Sequence, residues 1–226
     1  MKKIIILGGQ GDGVIIASAL RDLHDAGNEV MPLGFLNDFE EKGSMISGLP
    51  VLDRIENAKN FLENDTIFFI SALLKTKESF QRSRKIANLD IAPDRYFTLI
   101  HPQAAVAKSA KIGHGTFVGP HVAIMPNALI GNHCSFRASA NVGHDCVVGS
   151  YCYMGPNSTL CGKVKLHDGV HIGPNSCVLD KVEVGPYSVV GLGSVVLKNL
   201  PEFAVAFGCP AKIIETLRVT INDKKS

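Results

Sequence analysis

The dipeptide His144-Asp145, within Asn141-Val142-Gly143-His144-Asp145, has side chains suited to proton transfer. An imidazole takes up a proton near neutral pH, and an adjacent carboxylate can fix its tautomer and stabilise the imidazolium that forms. Alone, the pair is a weak signal, because the chain has eight histidines and most are expected at the surface or in turns. A second candidate is Gly8-Gly9-Gln10-Gly11-Asp12-Gly13, whose backbone N–H groups and following helix can meet a phosphate. Its spacing departs from G-x-G-x-x-G: the third glycine comes one residue early and Val14 holds the expected place, which argues against a standard dinucleotide site. The run reads either as a nucleotide or nucleotide-sugar cradle or as a tight strand-to-helix turn. Asp38 either accepts a ribose or base hydrogen bond or starts a turn. His167 and His171 are the pair that could suggest a metal, but they straddle a corner and need not converge, so no metal is expected.

The elements that position these residues follow from a period of six. Every sixth residue from Val106 to Val196 is apolar without a slip, and glycine follows directly at 113, 119, 131, 143, 149, 155, 173, 185 and 191. A small or β-branched residue precedes many of these anchors by two, and Gly or Asn often follows by three. Apolar residues six apart would scatter around an α-helix, so the repeat reads as short strands and corners of a parallel β-helix, three sides to an 18-residue coil. His144, two residues after an inward aliphatic, then stands outside at a corner. Pro126, His144, Gly162, Asp180 and Lys198 share its edge, and Gly162 leaves an accessible amide one coil beyond the imidazole. A base and an oxyanion donor then share one surface.

Residues 100–200 hold 11 of the 44 charged residues but 13 of the 22 glycines, so the composition shifts near residue 100. Before that point, strands are expected over 3–7, 30–36, 66–71 and 96–100, with helices after the glycine turn and over 76–88. Alternating strands and helices imply a small parallel sheet of Rossmann-like type, with ligands at the carboxyl ends of its strands. The expected division is 1–100, an acceptor-binding α/β domain; 101–200, the β-helix; and 201–226, a capping tail. With 23 Lys+Arg against 21 Asp+Glu, no basic field points to nucleic acid or an acidic membrane. No apolar run approaches a membrane span and the apolar start is too short for a secretory segment, so a cytoplasmic location is expected. Six cysteines at 134, 146, 152, 161, 177 and 209, without a C-x-x-C pair, are expected as small buried thiols, with Cys134 and Cys152 stacked inside the prism.

Together, Phe35-Leu36-Asn37-Asp38, Ile100-His101-Pro102, the hexapeptides, Val142-Gly143-His144-Asp145, Gly191-Leu192-Gly193-Ser194-Val195-Val196 and Gly208-Cys209-Pro210-Ala211-Lys212 carry a resemblance. The sequence resembles the left-handed β-helix acyltransferases, and among them the bacterial nucleotide-aminosugar N-acetyltransferases and sialic acid O-acetyltransferases. The resemblance implies a homotrimer with acetyl-CoA between neighbouring prisms and the acceptor held partly by the N-terminal domain. It implies His144 as general base, Asp145 as its support and Gly162 as the amide near the thioester carbonyl. Pro174 and Leu192, sharing an edge with Pro156, match the cofactor groove, and Tyr153 falls where members carry a His near the cofactor. Gln10, Gly11 and Asp12 match the substrate-binding turn, with Asp12 in place of a His, and Asn37 and Asp38 match the second strand's end. Leu73-Leu74-Lys75 replaces a small, glycine-containing turn. The implied reaction is direct attack of an amine of a nucleotide-linked amino sugar on acetyl-CoA, without an acetyl-enzyme. The rivals are O-acetylation of a sialic-acid-like sugar, a non-catalytic β-helix for assembly or binding, and a metal-dependent β-helix enzyme.

Overall fold

The run Ile4-Ile5-Ile6-Leu7 is fully buried, as a strand covered on both faces requires. In the computed structural model, which describes residues 1–73, 76 and 78–217, it forms most of β1 (Lys2–Leu7), between β2 (Val30–Leu36) and β5 (Ile67–Ser71), all parallel. Successive side chains alternate between two cores. Ile4 and Ile6 pack with Ile16, Leu20 and Phe35, while Ile5 and Leu7 pack with Phe69, Ile86 and Tyr96. Helix α1 (Asp12–Asp25) follows the glycine turn and ends where Gly27, at φ 87°, donates its N–H to the His24 carbonyl.

The sheet has an edge that the strand periodicity did not reveal. A hairpin of β3 (Met45–Ile46) and β4 (Leu49–Asp53) adds two strands, giving the order β3-β4-β2-β1-β5. Its turn, Ser47-Gly48, has φ 48° and 75°, the doubly positive φ of a tight hairpin loop. A 3-10 helix, Ile55–Phe61, follows, and helix α2 covers only Ser79–Ala87 rather than 76–88. The expected strand over 96–100 is reduced to one bridge at Tyr96 and β6 (Leu99–Ile100), because the chain there turns from the α/β sheet onto the β-helix.

From Ala105–Val106 to Val195–Val196, every two-residue strand ends on one of the six-step anchors, and strands 18 residues apart pair in parallel. Three sheets result, the sides of a left-handed parallel β-helix filled by the aliphatics. The residue three past each anchor from Gly115 to Gly193 has positive φ. These corners include Asp145, Tyr151, Lys163, Lys181 and Tyr187, types that enter the left-handed region at a cost of about 1 kcal/mol each. The backbone ladder between coils holds them there.

Cys134 and Cys152 are buried inside the prism, and each donates its thiol to a carbonyl of the next coil, Gly149 and His167 respectively. The expectation of uniformly buried thiols needs correction: all six are free, but Cys161 and Cys177 lie half-buried on a prism side and Cys209 is exposed.

The α/β region covers the side of the prism headed by β6. Phe117 of the prism enters the α/β core, and one edge of the prism becomes an aromatic contact. On that edge His133 stacks on Tyr151 and meets the Tyr96 ring edge-on, while Tyr187 stacks on Phe203 and meets Phe80 of α2. The chain leaves the prism through Ala204–Gly208, parallel to Val189–Val190, and turns back as Ala211–Thr216.

Candidate active site

His144 stands at a corner with its side chain 59% exposed. Its Nδ1 lies 2.7 Å from Asp145 Oδ2, so in the neutral ring the hydrogen sits on Nδ1 and the lone pair on Nε2. Asp145 is held in turn: Asn127 donates to its Oδ1 at 3.0 Å and its own N–H bonds the Pro126 carbonyl. Those two side-chain hydrogen bonds, that of His144 first, keep the Asp145 carboxyl below the usual carboxylate range. It therefore stays ionised beside the base.

Nε2 faces Gly162. A methyl group at Gly162 would lie 2.5 Å from Nε2 and 2.8 Å from Cε1, so the ring's position depends on a residue without a side chain. The same step of the repeat holds Pro120, Pro126, Pro156, Pro174 and Pro186, because the ladder does not use the N–H there. At Gly162 that N–H is present and, among the described residues, has no ladder partner, as an oxyanion donor requires. Cys161 directly precedes Gly162 at this corner. Its thiol is pushed up to about 11 by burial and by Cys177, whose sulfur is 3.9 Å away, so it remains a weak nucleophile.

One side of the prism lies between the His144 edge and the edge of Pro156, Pro174 and Leu192. Its strands run from Ala105–Val106 to Val195–Val196, and none of their outward positions carries a charge. Met125, Leu179, Leu197 and the edge residue Leu192 are exposed there.

A second concavity, of about 360 Å³, opens at the carboxyl ends of β1, β2 and β5. Gln10, Asp12, Asn37, Asp38 and Leu73 all line it. Gly11 does not; at φ 73° it caps α1. Leu74 and Lys75 lie outside the described residues. Asn37 is buried, donates to the Gly8 carbonyl and accepts from the Phe39 and Glu40 amides, which shapes the wall. Burial pushes the Asp38 carboxyl up, but the Lys85 ammonium and the Ile55 amide on it outweigh that, leaving it below the usual range. Gly8, Gly9, Phe39, Glu40, Ile55, Ala72 and Arg82 complete the lining. Phe39 and Glu40 follow Asn37-Asp38 and were within reach of sequence reasoning; Ile55 and Arg82 come from elements that carry no motif.

Tyr153 is placed away from His144. It stacks on His171 at 4.4 Å on the side facing the α/β region, where His171 Nε2 lies 3.1 Å from Thr76 Oγ1. His167 is engaged by Glu183. Among the described residues no three His, Cys, Asp or Glu side chains form a group able to hold a metal, and no helix is long and apolar enough to cross a membrane.

The bacterial transferase hexapeptide family (six repeats) matches residues 127–162, the segment that contains His144 and Gly162. No curated protein matches the sequence. Among solved structures, a mutant perosamine N-acetyltransferase from Caulobacter crescentus, in complex with CoA and GDP-perosamine, is similar at TM-score 0.81 and 27% identity over 95% of this chain and 98% of that one. The acetyltransferase domain of PglB from Neisseria gonorrhoeae, in complex with acetyl coenzyme A, is similar at TM-score 0.81 and 25% identity over 94% and 99%. WeeI from Acinetobacter baumannii shares the fold, at TM-score 0.79 and 23% identity over 94% and 100%.

Proposed function

We propose that this chain, a hexapeptide-repeat protein with the left-handed β-helix fold of the bacterial acyltransferases, transfers the acetyl group of acetyl-CoA to the amine of a nucleotide-linked amino sugar. The observation that carries the reading is the His144 corner: an oriented base with its lone pair beside an unused backbone N–H. The neighbours' ligands, CoA with GDP-perosamine and acetyl coenzyme A, supply the substrate class.

In the proposed reaction the acceptor amine attacks the thioester carbonyl. His144 Nε2 removes the amine proton, and Asp145 stabilises the imidazolium. The Gly162 N–H donates to the oxyanion, whose collapse expels CoA as thiolate, and the imidazolium returns the proton to that sulfur. No cysteine is acylated, in keeping with the high pKa of Cys161.

Residues 1–100 are assigned to the acceptor, 101–200 to the cofactor and base, and 201–226 to closing the prism. The pocket lies on the side covered by the α/β region, whereas His144 occupies the opposite edge. One chain therefore does not unite them. We assign the uncharged side to contact with further copies in a homotrimer, with acetyl-CoA along its two flanking edges, Gly162 on one and Pro174 and Leu192 on the other. Tyr153 stays a cofactor contact only if a neighbouring copy brings the cofactor to it. Our reading is a cytoplasmic protein, supported by its free thiols and by the proposed use of acetyl-CoA.

The test is one panel: acetyl-CoA with UDP-, GDP- and dTDP-linked 4-amino sugars and with free sialic acid, following CoA release. Turnover of a nucleotide-linked amine is expected. Turnover of sialic acid alone would replace the amine reading by O-acetylation, and no turnover would leave a binding or assembly module.

A further inference from the structure

Asp12 belongs to both halves of the molecule. It opens α1, lines the pocket, and its Oδ1 lies 3.1 Å from Nη1 of Arg137, a prism residue only 5% exposed. The contact is Coulombic, since that Nη1 has no hydrogen bond of acceptable geometry among the described residues. Burial pushes the Asp12 carboxyl up while the Arg137 guanidinium pulls it back. Asp38 is built alike, with Lys85 on its carboxylate. Each acid is neutralised from one side, so the pocket presents oriented acceptors without a large net negative field, and the anionic phosphates of a nucleotide sugar can lie alongside at the glycine turn.

We propose that Asp12 accepts a hydrogen bond from the acceptor's amino group and makes the site selective for an amine over a hydroxyl, with Arg137 as the positioning residue that holds the carboxylate. The inference rests on the transferase reading above and on His144 arriving from a neighbouring copy. Its physical basis is a count of hydrogens. A neutral amine has two: it surrenders one to His144 and keeps the other on Asp12 throughout the attack. A hydroxyl has one. Once that proton passes to His144, the carboxylate faces an oxygen acceptor, a buried mismatch of the kind that rejects analogues strongly.

The test compares a nucleotide-linked 4-amino sugar with its 4-hydroxy counterpart on the wild type and on Asp12→Ala, reading kcat/KM for CoA release. Calorimetry gives the Kd of the parent nucleoside diphosphate. The wild type is expected to favour the amine by about 100-fold or more. Asp12→Ala is expected to lose roughly 10- to 100-fold on the amine, to narrow the amine-to-hydroxyl ratio and to hold the nucleoside diphosphate Kd within about three-fold. Because Asp12→Ala strands a buried guanidinium and can unfold the chain, the double variant Asp12→Ala/Arg137→Met is measured beside it, with the same losses expected. An unchanged amine rate in a folded variant, or an equal loss on the nucleoside diphosphate, overturns the role of Asp12 while acetyl transfer stands. A wild type that acetylates neither sugar overturns both.

Discussion

His133 and His144 occupy corners of the same prism and have been given opposite chemistry. His144 is open to solvent, with Asp145 on Nδ1 and Nε2 turned to Gly162. His133 is covered by the α/β region, stacked on Tyr151 and edge-on to Tyr96, and among the described residues its Nδ1 has no partner. Burial, aided by His114, pushes it down to about 4. The difference teaches that the repeat decides where a corner falls, while what covers the corner decides whether a histidine there can take up a proton in catalysis.

The contrast breaks most sharply at the base. His144→Ala is expected to lower kcat by roughly 10²- to 10⁴-fold, the usual worth of a general base, with the melting temperature kept because the side chain supports no core. Gly162→Ala tests the open side of the ring: the methyl displaces the imidazole and occupies the acyl position, and a loss of roughly 10- to 100-fold is expected, read as kcat/KM. Asp145→Asn should cost about 10-fold in kcat with acetyl-CoA affinity unchanged, since the amide still fills the corner but no longer balances an imidazolium.

The smallest effect concerns the covered histidine. His133 and His171 are both neutral in the fold, pushed down to about 4 by burial from an ordinary 6.5. The unfolded chain therefore binds more protons between those values. The stability they contribute is complete above about pH 6.5 and is lost as pH falls towards 4, at most about 3 kcal/mol each. His133→Phe keeps the stack on Tyr151 and should shrink the drop in melting temperature between about pH 6.5 and 4. A pH profile identical to the wild type would show that the corner is less buried than described.

The two regions also differed in how far sequence reasoning reached. The prism was legible down to the anchor residue, because each coil repeats one solution, and the 18-residue step placed Gly162 beside His144. Corner residues such as Lys163 and Tyr151 were not legible as left-handed positions, since their types avoid that region and only the ladder imposes it. In the α/β region the buried strands β1, β2 and β5 were plain from their apolar runs. The β3–β4 hairpin was overlooked although Ser47-Gly48 between apolar residues is a turn signal. Arg137 carried no motif at all: its partner Asp12 is distant in sequence, and only the packing of one region on the other unites them.

The central claim is that His144 acts on an acceptor held by a neighbouring copy. Co-expressing His144→Ala, which keeps the pocket, with Asp38→Ala, which keeps the base, measures this directly through acetyl transfer to the amino sugar. Random mixing should restore about one quarter of wild-type activity, because half the pockets and half the bases are intact and each site draws one of each from different chains. Activity no greater than that of the two variants assayed separately would contradict a shared site.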